Sequence, residues 1–307
     1  MDNSVTRYFP SRLASALNEV KYGGISEIRL RISRPPALTS QNGILYLMSS
    51  GGVSSDPSKA MTVTADEIRK VFDAVCQYSL HSWHSQIAQC CVTVPGGHRV
   101  GISGTAVISG DKIETVRDIG SINFRIAREI SGAADSIMST AMNGRLKSIL
   151  LCGRPGSGKT TVLRDLCRQI GNKYPVALID ERCELAACSR GAPQNDVGLN
   201  TDVFTGFSKA DGILTALRVM SPRMIICDEI GGDDDVSALL ASGNCGIYTA
   251  ATVHAGSAED IFRRQNIKRL IDADIFDCFA FIRGGKAEKI NDISRIKDRR
   301  YNGGAAF

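Results

Sequence analysis

The chain has 307 residues, of which 43% are hydrophobic and 22% are charged, and its formal net charge is +5. This composition is that of an ordinary globular protein, which excludes a fibrous repeat and a disordered chain, and the length indicates about two domains. The mild positive charge permits contact with nucleic acid or anionic lipid but requires neither.

The N-terminus and the cysteines indicate a location inside the cell. The first residues lack the basic and apolar blocks of a signal peptide, and no apolar run reaches the roughly 20 residues of a membrane span. The 10 cysteines lie mainly in apolar segments without a C-x-x-C pair, as expected of small buried side chains in a reducing compartment. We therefore expect a cytoplasmic protein that meets a membrane only through partner proteins.

Residues 1–130 are predicted to form a mixed α+β domain, and residues 131–147 a connector. Apolar and basic residues alternate over Glu27–Ile32, which predicts a strand with its three aliphatic residues on a packed face and its arginines on the other. The turn Pro95–Gly97 predicts a hairpin. The other predicted elements here are a helix over Pro10–Lys21, a helix from Ala65 to about Ile87 and a strand over Ile122–Arg128.

An apolar segment, Ser148–Cys152, leads directly into a complete G-x-x-x-x-G-K-[ST] loop at Gly153–Thr160. Such a loop turns backbone N–H groups toward bound phosphates, Lys159 reaches the outer phosphates, and Thr160 supplies a magnesium ligand. Apolar spacing behind the loop predicts a helix over Thr161–Ile170. The residues expected to bind ATP, with its Mg²⁺, are Gly153, Arg154, Pro155, Gly156, Ser157, Gly158, Lys159, Thr160 and Thr161.

Strands and helices alternate from residue 148 onward, which predicts a parallel sheet covered by helices. At least one strand lies in sequence between the strand of the phosphate loop and Met224–Asp228, as in RecA-like nucleotide-loop ATPases. We therefore predict an α/β, RecA-like P-loop ATPase core over residues 148–307 beside the smaller N-terminal domain. The later predicted strands are Val176–Asp180, Met224–Asp228 and Ile247–Thr252, and the predicted helices between them are Gly212–Met220 and Val236–Ala241.

Three of these strands end in polar residues that can do chemistry. Asp228 is placed to join Thr160 around Mg²⁺, and Glu229 to accept a proton from water that attacks the γ-phosphate. His254 follows the next strand, where it could sense the γ-phosphate. The acidic segment Asp180–Leu185 follows a further apolar strand, and its carboxylates either join the catalytic shell or form a salt-bridged loop.

Together these motifs resemble the secretion ATPase superfamily of type II and type IV systems, and the resemblance covers nearly the whole chain. The stretches Glu27–Arg31, Gly96–Gly101 and Asn123–Glu129 are similar to a sporulation branch of that superfamily in endospore-forming bacteria. The resemblance implies a cytoplasmic homo-hexameric ATPase that energises membrane-embedded channel components during sporulation. It also implies that Arg125 and Arg128 lie near the phosphates, where arginine offsets developing negative charge.

Two positions depart from the superfamily pattern. Many secretion ATPases carry an E-D-T-x-E acidic box, whereas this chain has Asp180-Glu181-Arg182-Cys183-Glu184. Glu184 keeps the matching place, and the roles of Asp180 and Glu181 stay open. The superfamily usually continues from the Glu229 position with Ile-Arg, whereas here Ile230 precedes Gly231, so another group has to supply that arginine contact.

These observations favour an ATP hydrolase. The residues expected to act on the bound ATP are Glu229, Glu184, His254, Arg125 and Arg128. The alternative is a RecA-like ATPase that binds nucleic acid, because such cores also drive helicases and the basic strand face at Arg29 and Arg31 could meet phosphates. Few aromatic residues accompany these arginines, and stacking platforms for single strands need them. Nucleic acid therefore ranks second as a partner.

Overall fold

The computed structural model describes residues 3–20, 24–40, 42–76, 87, 90–110, 112–127 and 130–293. Contacts divide the chain into two compact units, Met1–Arg128 with Ser189–Gln194, and Glu129–Cys188 with Asn195–Phe307. Within the described residues, no helix is both long enough and apolar enough to cross a membrane.

The first unit is mixed α+β and contains a seven-stranded sheet in the order β4-β3-β2-β1-β7-β6-β5, in which every neighbouring pair is antiparallel. Its strands are β1 Ile25–Arg31, β2 Ala37–Ser40, β3 Gly43–Leu47, β4 Val53–Ser54, β5 Cys91–Val94, β6 His98–Ser109 and β7 Lys112–Arg125. Its helices are Asn3–Thr6, Ser11–Asn18 and Ala65–Val75, with a 3-10 turn at Pro57–Lys59.

The predicted alternation in β1 is confirmed. Ile28 and Leu30 are buried in the core of the first unit, whereas the arginines of the strand lie on the other face. Ile32, predicted on the packed face, lies beyond the end of β1 and is exposed. The hairpin β5–β6 forms at the predicted turn, and the predicted helix begins at Ala65 with a capping box between Thr64 and Glu67. The helix ends at Val75, with Cys76 as its C-cap, and does not run on toward Ile87 as predicted. Residues 77–86 lie outside the described residues.

The second unit is α/β, as predicted, with the sheet order β10-β9-β11-β12-β8-β13-β14. All neighbouring strands are parallel except β13 and β14, which form an antiparallel hairpin. The strands are β8 Ile149–Cys152, β9 Val176–Asp180, β10 Thr201–Thr205, β11 Met224–Glu229, β12 Tyr248–Val253, β13 Cys278–Arg283 and β14 Lys286–Asp292. The helices are Lys159–Gly171, Lys209–Val219, Asp233–Asn244, Ala258–Arg263 and Gln265–Asp272, and a short helix Asp135–Ile137 continues into a π-helical turn, Met138–Met142.

Both faces of this sheet are packed, which explains the continuous apolar runs of its central strands. In β8, Leu150 and Cys152 belong to one core cluster, whereas Ile149 and Leu151 belong to the other. The predicted elements between residues 148 and 252 are present, with ends shifted by one helical turn or less. The prediction assigned no strand to β10, β13 or β14.

Candidate nucleotide-binding site

The phosphate loop connects β8 to the helix that begins at Lys159. Gly156 and Gly158 have φ angles of +74° and +94°, a region that glycine enters without a steric penalty. A Cβ on Gly158 would also lie 2.5 Å from the Cα of Gly285, in the turn between β13 and β14. The Gly285 N–H donates a hydrogen bond of 2.8 Å to the carbonyl of Ser157, so this turn braces the loop.

The chemistry of the Ser157 side chain suits it to bind a phosphate group. Its Oγ is buried and has no hydrogen-bond partner among the described residues. A buried hydroxyl without a partner costs free energy, and a phosphate oxygen would accept its proton. Ser157 directly precedes Gly158, the N-cap of the next helix, where the unpaired backbone N–H groups also favour an anion.

Lys159 is only 7% exposed, and its ammonium donates to neutral acceptors. Its Nζ lies 2.9 Å from the Gly153 carbonyl, 3.1 Å from the Arg154 carbonyl and 2.9 Å from Nδ1 of His254. Burial lowers the pKa of Lys159, and the charge of Glu229 offsets this only in part. The ammonium is therefore desolvated without being neutralised, which suits it to a negatively charged ligand.

His254 joins Lys159 to Glu229. Its Nδ1 faces the Lys159 ammonium, which can only donate, so Nδ1 accepts and the ring proton lies on Nε2. Nε2 is 3.0 Å from a carboxylate oxygen of Glu229. The structure thus brings three of the predicted site residues into one chain of contacts, Lys159–His254–Glu229.

Asp228, near the end of β11, faces Lys209. This lysine was not among the site residues predicted from the sequence. Lys209 Nζ is 3.3 Å from Asp228 Oδ1, 3.6 Å from Asp235 Oδ2 and 3.8 Å from Glu181 Oε2. It also donates to the main-chain carbonyl of Glu229 at 2.5 Å. Burial raises the pKa of the Asp228 carboxyl, although Lys209 opposes this shift.

The charge of Lys209 is stabilised where that of Lys159 is not. Burial alone would lower the pKa of Lys209, but its interactions with Cys227, Asp228 and Asp235 outweigh burial and raise it. One signal in the sequence was available: Lys209 follows a helix-capping serine, and lysine in the first turn of a helix is disfavoured by the helix dipole. A lysine at a position that the helix dipole disfavours is expected to have a specific partner that stabilises its charge.

Two cavities flank these groups. One, the acidic cavity, has a volume of about 720 Å³ and is lined by six carboxylates, two cations and several small or apolar residues. The charged residues are Glu181, Asp211, Asp228, Glu229, Asp234, Asp235, Arg182 and Lys209. The other, of about 610 Å³, lies between the phosphate loop and the β13–β14 hairpin, with Arg154, Phe281 and Lys289 among its lining residues. The phosphate loop and the β11 end therefore each border space that a ligand can enter.

The acidic segment after β9 is organised around Asp180, which is fully buried. Its carboxylate accepts the backbone N–H groups of Glu184 at 2.8 Å, Leu185 at 3.0 Å and Ala186 at 2.8 Å. Arg164 donates to the carbonyls of Glu184 and Leu185 at 2.8 and 2.9 Å. Asp180 therefore shapes its own loop, and the catalytic role of Glu184 remains a prediction.

The two predicted arginine contacts belong to the other unit. Arg125 is the last residue of β7, with a side chain 64% exposed, and its Nε lies 4.0 Å from Glu27 Oε1. Arg128 lies outside the described residues. The roles of both arginines remain predictions.

The fold of the chain is that of secretion-type RecA-like ATPases. The pilus retraction motor PilT, solved with bound ADP, superposes with a TM-score of 0.63 at 15% identity, covering 98% of this chain and 89% of that one. The Legionella pneumophila ATPase DotB gives a TM-score of 0.56 at 16% identity, covering 87% and 73%. These similarities confirm the predicted fold class.

Sequence comparison places the chain more narrowly. The model of the family described as "Sporulation stage III, protein AA" matches residues 4–302. Stage III sporulation protein AA of Bacillus subtilis (strain 168) is 32% identical over 309 residues, covering 98% of this chain and 96% of that protein. The chain belongs to this family, which confirms the resemblance drawn from its motifs.

Proposed function

We propose that the chain is a magnesium-dependent ATPase that hydrolyses ATP to ADP and phosphate, and that it acts as a cytoplasmic hexameric motor for a membrane channel complex in sporulation. The observation that carries the enzymatic part is the chain of contacts from the phosphate-loop lysine through His254 to Glu229. Lys159, the residue proposed to bind phosphate, and Glu229, the candidate base, are thereby linked within one site. Family membership and the motor fold support the cellular part.

Substrate binding rests on the phosphate loop. The loop N–H groups, the Ser157 hydroxyl and the Lys159 ammonium are donors that match phosphate oxygens. Because Lys159 is held by two carbonyls and an imidazole, it can exchange these neutral partners for a charged phosphate. Arg154 and Thr161 extend the predicted contact surface on either side of the loop.

Thr160 and Asp228 are the residues that would hold magnesium. A hydroxyl and a carboxylate are hard oxygen ligands of the kind Mg²⁺ takes. Thr160 lies in the first turn of the helix that follows β8 and Asp228 at the end of β11, and these two strands flank β12 in the sheet. When bound, the ion neutralises charge on the phosphate oxygens and on the leaving group.

Glu229 is the proposed general base, which takes a proton from the attacking water. His254 holds the Glu229 carboxylate at 3.0 Å and is itself held by Lys159. If Lys159 turns to a phosphate, His254 loses that partner, and the carboxylate position changes with it. In this way the site could respond to the presence of the γ-phosphate, and Glu184, Arg125 and Arg128 are proposed to complete it.

The hydrolytic proposal is tested by Lys159→Ala, compared with Lys268→Ala as a matched control. Lys268 is a half-exposed lysine that pairs with Asp272 in its own helix. We expect Lys159→Ala to lower phosphate release by about 10³-fold or more, because the phosphate-loop lysine binds the developing charge directly. A Lys159→Ala protein with the turnover of the wild type would overturn the proposal.

The motor proposal is tested by sedimentation with and without a nonhydrolysable ATP analogue. We expect a species six times the chain mass with the analogue, and a monomer under both conditions would contradict the ring. The same preparation, assayed with single-stranded DNA or RNA, distinguishes the alternative partner. Strong stimulation of ATP turnover would favour a nucleic-acid-dependent ATPase over a secretion-type motor.

A further inference from the structure

Lys209 occupies a position that carries two physical costs. It is the first residue of the helix Lys209–Val219, where the helix dipole disfavours a positive charge. It is also only 5% exposed, and an ammonium taken out of water needs close compensation. Ser208 caps this helix by accepting the Asp211 N–H at 3.2 Å, so the helix start does not depend on Lys209 itself.

The compensation comes from three separate elements of the second unit. Asp228 and the Glu229 carbonyl come from the end of β11, Asp235 from the first turn of the helix Asp233–Asn244, and Glu181 from the loop after β9. Asp235 is fixed in turn by the Gly231 N–H, which donates to it at 2.9 Å. The Lys209 ammonium thus meets three carboxylates and a carbonyl within 3.8 Å, and Arg182 is a second cation in the lining of the cavity.

Divalent cations also bind carboxylate and carbonyl oxygens. With the Lys209 ammonium in place, the described residues contain no cluster of acidic side chains arranged to hold a metal ion. Calcium, magnesium and manganese bind clusters of carboxylate and carbonyl oxygens, and charge is a main determinant of their affinity. In this chain the centre of the cluster is already filled by the Lys209 ammonium. A divalent ion that entered the acidic cavity would be repelled by that ammonium at close range.

We propose that Lys209 is a positioning residue that serves as the buried cation of the acidic cavity: it holds Asp228 and the Glu229 main chain and, at the centre of the carboxylates, keeps free divalent cations out when no nucleotide is bound. The role of this exclusion rests on the proposed ATPase function. Exclusion by Lys209 ties the binding of metal to the binding of nucleotide, because an ion that arrives with phosphate oxygens needs fewer ligands from the cavity.

The test is a titration of the full chain with Mn²⁺ at neutral pH without nucleotide. Binding is measured as the loss of the paramagnetic resonance signal of the free ion. Lys209→Met should bind Mn²⁺ at least about tenfold more tightly than the wild type, since a buried positive charge is removed from among three carboxylates. Lys209→Arg, which keeps the charge, should resemble the wild type. Lys268→Met, which removes a lysine charge outside the cavity, should also bind as the wild type does.

A second pair of variants separates charge from folding. Lys209→Gln keeps a donor for the Glu229 carbonyl and loses the charge, so it should fold, as judged by circular dichroism, and still show the gain in Mn²⁺ affinity. Adding Asp235→Asn to Lys209→Gln removes one carboxylate and should reverse most of that gain. A folded Lys209→Gln or Lys209→Met protein with wild-type Mn²⁺ affinity would overturn the inference.

The outcome is distinguishable from a failure of the ATPase proposal. The Mn²⁺ titration requires no hydrolysis, so it can succeed in a chain that does not turn over ATP. Conversely, the wild type could hydrolyse ATP while the Lys209 variants leave Mn²⁺ affinity unchanged. In that case Lys209 would be a structural lysine only, and the hydrolytic proposal would stand.

Discussion

The ends of β9 and β11 have similar sequences, but the aspartates at the two ends make different contacts. The two strands are adjacent and parallel, Cys227 pairs with Ile179 in the register, and each strand continues into an Asp-Glu pair. Asp180 turns inward and accepts three N–H groups of its own loop. Asp228, at the equivalent place, faces Lys209 and the acidic cavity instead.

The difference lies in how completely each carboxylate is satisfied. The oxygens of Asp180 are occupied by backbone donors, which makes the residue part of the local fold. Burial raises the pKa of Asp228, and the charge of Asp180 contributes to this shift while Lys209 opposes it. A buried carboxylate whose desolvation is only partly offset by its cationic partner is the one available to a ligand.

The test of this contrast with the largest expected effect compares Glu229→Gln with Glu181→Gln, which change the second acid of each Asp-Glu pair. Glu229→Gln should lower ATP turnover by about 10²–10⁴-fold, because an amide cannot act as a base, whereas nucleotide affinity should change little. Glu181→Gln should lower turnover less than about threefold, because its exposed carboxylate lies 3.8 Å from Lys209, beyond hydrogen-bond distance. Phosphate release and binding of a fluorescent ATP analogue measure both. Equal losses of turnover in the two variants would remove the distinction between the strand ends.

A second test compares the stability of Asp180→Asn and Asp228→Asn. Asp180→Asn should lower the free energy of unfolding by about 3 kcal/mol, because an amide NH₂ group would face buried N–H donors. Asp228→Asn should change it by less than about 1 kcal/mol: a raised folded-state pKa means that the folded protein favours the neutral form, so charged Asp228 contributes no net stability at neutral pH. Urea unfolding gives both values, and a larger loss for Asp228→Asn would contradict this assignment.

The outline of the site could be predicted because its signals are local. The apolar runs of β8, β9, β11 and β12 predict strands, the glycines predict the phosphate loop, and strand ends at one sheet edge bring Asp228, Glu229 and His254 into one region. The alternative left open for Asp180–Leu185 could not be decided in this way. Which way Asp180 points depends on a loop where Cys183 and Ala187 adopt positive φ angles, 53° and 50°, that their residue types do not predict.

Other parts of the site depend on contacts between distant segments. Lys209 meets its partners only because β11 lies beside β9 and because two helix N-termini converge there. Gly285 braces the phosphate loop through the β13–β14 hairpin, which the sequence analysis did not assign. Such packing depends on tertiary structure, and local propensity carries little information about it.

The smallest expected effect concerns the cation that supports each strand end. Arg164 holds the loop after β9 by donating from Nε and Nη2 to two neighbouring carbonyls, a forked geometry that lysine cannot reproduce. Arg164→Lys should therefore lower the free energy of unfolding by about 1 kcal/mol, with ATP turnover within twofold of the wild type. Lys209, in contrast, acts through its charge, so Lys209→Arg should preserve Mn²⁺ exclusion even if the helix start shifts slightly. Urea unfolding of Arg164→Lys, paired with the phosphate-release assay, checks this. A loss of turnover larger than the loss of stability explains would mean that the β9 loop, and with it Glu184, belongs to the catalytic site after all.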